Sequence, residues 1–87
     1  NFPNPFKEKT TIPYEVSNPG LIKINIFNSD EILVSTLIEE YIEPGYYIVE
    51  WDGRDKLGQI LESGRYRVTM SSDELEVEES ITITLLK

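Results

Sequence analysis

Carboxylates are the one abundant reactive group in this chain. Sixteen Asp and Glu stand against eight Lys and Arg, and there is neither His nor Cys. Asp52 with Asp55, and Glu39 with Glu40, are close enough in sequence to form acid/base pairs. Such pairs need one carboxyl with a raised pKa, usually through burial. These four sit among turn residues and other charges, so they read as solvated structural groups. The lack of His removes the commonest general base, the Ser-His triads and most zinc sites together. The lack of Cys removes disulfides and leaves the redox compartment unread. No catalytic constellation results, so no enzymatic activity, cofactor or metal is expected.

Calcium needs a separate argument. In the helix-loop-helix calcium loop, positions 1, 3 and 5 carry oxygen ligands. Counted from Asp52, those positions hold Asp52, Arg54 and Lys56, and two cations rule that loop out. Asp52, Asp55 and Glu62 in another geometry remain an alternative oxygen set. The structural reading is that Asp52 bonds the backbone of its own turn while Arg54 pairs with a neighbouring carboxylate. The acidic run 73–79 reads as a solvated hairpin arm whose charge discourages edge-to-edge aggregation. As a recognition surface it would seek a basic partner.

The net charge of −8 and a pI near 4.4 disfavour nucleic acid and anionic membrane surfaces, because both repel such a chain. No apolar run approaches the roughly 20 residues that span a bilayer, and no signal peptide is visible. Membrane insertion is not expected. The length of 87 residues fits one domain, residues 1–87. A chain this short buries only about 60–65% of its unfolded surface, too little for a deep pocket beside a separate core. It starts at Asn1 without Met, and is expected to be cut from a longer protein and monomeric in isolation.

The reactive residues sit on strands and turns. Residues 1–6 form an extended arm, with Phe2 and Phe6 available to pin it. Residues 10–16 alternate as a strand, and Pro13 marks it as an edge because proline donates nothing to a ladder. Residues 21–27 alternate cleanly, with Ile22, Ile24 and Ile26 on one face. The turn 28–31 leads to a third strand, 32–38, of irregular pattern with Val34 near the core. Glu43-Pro44-Gly45 has the order of a type II turn. Residues 46–51 then place Tyr47, Val49 and Trp51 inward and Tyr46 and Ile48 outward. Tyr46 and Ile48, with Tyr41 and Ile42, make an exposed apolar patch of the kind that marks partner contacts.

The stretch from Trp51 through Gly53, Gly58 and Gly64 to Tyr66 is expected to cross between two layers. A short strand is expected at 59–61. A firmer one at 65–70 has Tyr66, Val68 and Met70 inward, and the last, 77–86, has Ile81, Ile83 and Leu85 inward. The hydroxyls of Tyr47 and Tyr66 are expected to reach backbone. Short strands separated by turns, with no helical periodicity, predict an all-β protein, an immunoglobulin-like sandwich of about seven strands in two antiparallel sheets.

Asn4-Pro5-Phe6, the Thr10-Thr11-Ile12 that follows, strand 22–27, Pro44-Gly45, Trp51-Asp52-Gly53-Arg54-Asp55 with Gly58, and Ser63-Gly64 with Tyr66 occur in an order that resembles a known bacterial family. This is the FlgD-type immunoglobulin-like domain of the flagellar hook-capping protein, with relatives that act as C-terminal sorting domains of type IX secretion. The family's turn after the second strand usually carries Asp and Gly; here Asn28 and Glu31 stand there. Asn28 can still make the turn bond, whereas a positive φ at Glu31 is unfavourable and a reshaped turn is expected. The resemblance implies a non-catalytic module near the C-terminus of a larger, secreted or surface-bound bacterial protein that reaches its place through the periplasm. Its implied partner is a protein: either export machinery that reads surface strands and the end at Leu85, Leu86 and Lys87, or a neighbouring domain. The alternative role is structural, in hook capping or as a spacer or accessory domain beside an extracellular enzyme.

Overall fold

Alternation along the chain determines the strands, and their pairing determines which residues are covered. A computed structural model describes residues 9–72 and 77–85, with only the backbone described at 77–80. The described strands are β1 (Thr10–Val16), β2 (Gly20–Phe27), β3 (Leu33–Ile42), β4 (Gly45–Trp51), β5 (Gly64–Ser72) and β6 (Val77–Leu85). They form two antiparallel sheets, one of β1 and β4, the other in the order β3-β2-β5-β6. The expectation of an all-β fold in two antiparallel sheets is therefore met.

The core lies between the sheets. Ile12, Val16 and Trp51 come from the small sheet, and Ile22, Ile24, Ile26, Tyr66, Val68, Ile83 and Leu85 from the large one. In β2 the buried residues recur at every second position, as a half-buried strand requires. Trp51 is 1% exposed and is the largest fully buried side chain among the described residues. The chain does cross layers between Trp51 and Tyr66, since β4 belongs to the small sheet and β5 to the large one.

Several expectations need correction. Six strands are described, where about seven were expected. Residues 59–61 supply only an isolated bridge, Arg54 to Ile60. The chain there turns back on itself, with Asp55 N–H donating to Gln59 O at 2.9 Å and Leu61 N–H to Gly53 O at 3.0 Å. The third strand starts one residue later than expected and runs on to Ile42, with Glu39 and Glu40 opposite Lys23 and Ile22. Register shifts between Ile24 and Asn25 and between Ile26 and Phe27 explain its broken alternation. Val34 packs half-buried against the core, and Ser35 next to it is buried.

Gly45 has φ 154° and opens β4 opposite Val16. A type II turn would need about +80° there. Ile81 was expected inside but is 37% exposed. It lies on the rim of an apolar seam lined also by Ile12, Tyr14, Ile24, Val68 and Met70. Two strands do not cover the whole width of four.

Candidate interaction surface

The motif residues from Trp51 to Gly58 build a self-capped loop. Trp51 ends β4 with its ring inside and donates Nε1–H to Arg54 O at 3.0 Å, which ties the loop to the core. Asp52 Oδ1 accepts the Arg54 N–H at 3.2 Å, and its other oxygen lies 3.8 Å from Arg54 Nε. The guanidinium also donates from Nη1 to Gly58 O at 2.9 Å. Asp55 Oδ1 accepts two backbone N–H groups, from Leu57 and Gln59, both at 2.9 Å. Gly53 and Gly58 have φ of 76° and 86°, the left-handed region where a side chain is strained.

These bonds occupy two of the carboxylates whose chemistry was in question, since Asp52 and Asp55 hold turn backbone; at Glu62 it is the main-chain carbonyl that accepts from Tyr66 Oη. Among the described residues, no group of three or more Asp, Glu, His or Cys side chains could hold a metal ion. The arrangement orients a loop and ties it to the end of β4.

Tyr47 and Tyr66 each donate a hydroxyl hydrogen bond of 2.7 Å to a main-chain carbonyl, that of Glu43 and of Glu62 respectively. Burial, then the nearby Glu62 charge, pushes the Tyr66 phenol above its ordinary pKa. Tyr14, stacked on Tyr47 with centroids 5.5 Å apart, is raised by burial first, then by Glu40 and Tyr47.

Tyr46 and Ile48 lie on the outer face of the small sheet and are 84% and 67% exposed. With Pro13, Tyr14, Glu15 and Tyr47 they line a shallow groove of about 460 Å³. Tyr41, grouped with them in the sequence, is also exposed, but Ile42 is half-buried against the core. Asn4, Pro5, Phe6, Leu86 and Lys87 lie outside the described residues, as do the first four residues of the acidic arm, 73–76.

The turn after β2 differs from the expectation at one point. Asn28 Oδ1 accepts the N–H of Asp30 at 2.9 Å and of Ile32 at 3.0 Å, the bond expected of it. Glu31, however, adopts φ 63°, so the chain accepts the unfavourable backbone conformation. Its N–H donates to Asn28 O at 3.0 Å, and its carboxylate is ion-paired with Arg67, whose guanidinium sits 4.9 Å above the Phe27 ring. Arg67 was not singled out in the sequence, because Glu31 is thirty-six residues away from it and no local signal links them.

Two comparisons bear on this arrangement. A solved structure of PorZ, an essential bacterial surface component of the type IX secretion system of Porphyromonas gingivalis, matches with a TM-score of 0.68 at 18% identity. The match covers 98% of this chain and 11% of that one, and it shows a shared fold. No curated protein sequence matches the chain. The family model of the FlgD Ig-like domain matches residues 7–76, well over half of the chain and including every residue of the self-capped loop. On that match, this chain belongs to the FlgD Ig-like domain family.

Proposed function

We propose that this chain is a non-catalytic docking module of a larger bacterial protein, read by a component of an export machine and acting at the cell surface or outside the cell. The observation that carries the reading is the division of labour in the site. The motif carboxylates are used to cap turns, while an apolar strip on the outer face of the small sheet is left uncovered. The likeness of fold to part of a surface component of a secretion system supports that setting. Recognition would use Tyr46 and Ile48 together with the end at Leu86 and Lys87, while the Asn4-Pro5-Phe6 arm and the Trp51 loop keep the module folded.

The test is to remove residues 1–87 from the parent protein and follow where the rest goes. Retention inside the cell, with secretion restored by returning the segment, supports the reading. Unchanged secretion overturns it. The family match favours one alternative, a purely structural module as in hook capping or as a spacer. In that case removal would alter assembly or activity of the parent protein and leave its location as it was.

A further inference from the structure

The outer face of the β1–β4 ribbon carries three cross-strand pairs, Thr11 with Glu50, Pro13 with Ile48, and Glu15 with Tyr46. The apolar side chains therefore sit in the middle and toward one end, with a carboxylate at each end. Glu50 is balanced by Lys9, whose Nζ lies 3.6 Å from its Oε1. Glu15 has no ion pair among the described residues. A carboxylate with no ion pair among the described residues thus stands beside a tyrosine that is 84% exposed.

That pair has a specific chemical complement. A guanidinium can stack on an aromatic face and give two parallel N–H bonds to a carboxylate at the same time, which an ammonium cannot do. Pro13 and Ile48 offer an apolar surface next to it. On an extended strand, side chains of one face recur at every second residue, about 6.6–6.8 Å apart. A segment with arginine at one position and an aliphatic residue two positions away matches the spacing of Tyr46 and Ile48, themselves two apart on β4.

Taking the face as a docking surface, as the reading above does, we propose that its occupant is an extended, arginine-bearing segment of a partner protein. The guanidinium lies on Tyr46 and Glu15, and an aliphatic side chain lies on Pro13 and Ile48 in the groove. A second copy of this chain is a poor occupant. Each copy carries a net charge of −8, and the face of Thr11, Pro13, Glu15, Tyr46, Ile48 and Glu50 has no arginine to offer Glu15.

The experiment titrates the isotope-labelled 87-residue chain with a synthetic heptapeptide in which two arginines flank a leucine at alternate positions, with serine elsewhere. Backbone amide shifts are recorded by NMR. Shift changes confined to residues 11–15 and 45–50 are expected, weakening as salt is added. Glu15→Gln and Tyr46→Ser should each weaken binding about threefold, and together about tenfold. Unchanged thermal unfolding of these surface variants shows that the fold is intact. Lysine in place of arginine should bind more weakly, and glutamate not at all.

Equal binding of the glutamate peptide, shifts elsewhere on the domain, or concentration-dependent self-association through this face overturns the proposal. If removing residues 1–87 causes retention of the parent protein but the arginine peptide does not bind, this assignment falls and the docking reading stands. If the peptide binds but secretion does not need the domain, this assignment stands and the export role falls.

Discussion

Tyr66 meets Trp51 edge-on, with ring centroids 5.3 Å apart and planes at 67°. This contact joins the last residue of β4 to the third residue of β5 across the two sheets, and both residues are buried. It is the packing that fixes the layer crossing. Edge-to-face pairs of this kind add about 0.5–1.5 kcal/mol beyond the area they bury.

Trp51→Ala should therefore destabilise the domain by about 3–5 kcal/mol, a large share of the roughly 5–15 kcal/mol that holds a domain folded. Trp51→Phe keeps part of the packing but leaves Arg54 O without its indole donor, and should cost about 1–3 kcal/mol. Chemical denaturation followed by circular dichroism measures both. A midpoint unchanged in Trp51→Ala would contradict the role assigned to the indole.

Tyr47 and Tyr66 are held by one device used twice. Each follows a Glu-x-Gly-x-Tyr order, with Gly45 at φ 154° and Gly64 at φ 155°, and each donates to the carbonyl four residues back. The environments differ, since Tyr66 is buried and Tyr47 is half-exposed. Tyr66→Phe should cost about 1–2 kcal/mol and Tyr47→Phe about 0.5 kcal/mol, because water replaces the hydroxyl more easily at the second site. Equal losses in denaturation midpoint would contradict this ordering.

Gly58 isolates a backbone effect. Its φ is 86°, and a Cβ placed there would meet nothing within 4 Å. Gly58→Ala should lower stability by about 1 kcal/mol through strain alone, and Gly58→Asn by less, since Asn tolerates this region. A neutral Gly58→Ala would mean that the loop relaxes out of this conformation.

Glu31 tests the same physics with a side chain in place. Glu31→Asn relieves strain but loses the Arg67 pair, an exposed interaction worth under about 1 kcal/mol, and should leave stability within about 0.5 kcal/mol of the parent. Glu31→Val, β-branched at φ 63°, should cost about 1–2 kcal/mol. Thermal melts of the two variants would separate them, and identical melting temperatures would argue against strain at this position.

The raised phenols give a pH dependence with a definite sign. Tyr14 and Tyr66 both titrate above the ordinary value of 10.0, mainly because burial disfavours the phenolate. The folded state then binds protons more tightly than the unfolded one. This contribution is fully present below pH 10 and is lost as pH rises through the folded-state values. Melting temperature should fall above about pH 10 in step with tyrosinate absorbance, and Tyr66→Phe should flatten part of that fall.

The fold was legible in this sequence where alternation was clean. β1, β2 and β5 could be read from Ile12, the isoleucines of β2, and the Tyr66-Val68 pair, because each side chain's position along the strand fixes its face. Legibility failed where long-range pairing decided the outcome. The two register shifts in β2–β3 scrambled the pattern of β3, and the width of the large sheet, which no local signal encodes, exposed Ile81. In the candidate surface, the outward placement of Tyr46 and Ile48 was legible, since exposure follows from alternation. The Glu15–Tyr46 pairing was not, because it depends on the register of β1 against β4.

The Lys56 N–H donates to Val34 O at 3.0 Å, so the self-capped loop occupies a place on the free side of β3. Together with the bulges that twist that strand, this spoils the longest exposed ladder in the described chain as a template for another molecule. Polymerisation through that margin is thereby hindered before any sequence-specific contact is made.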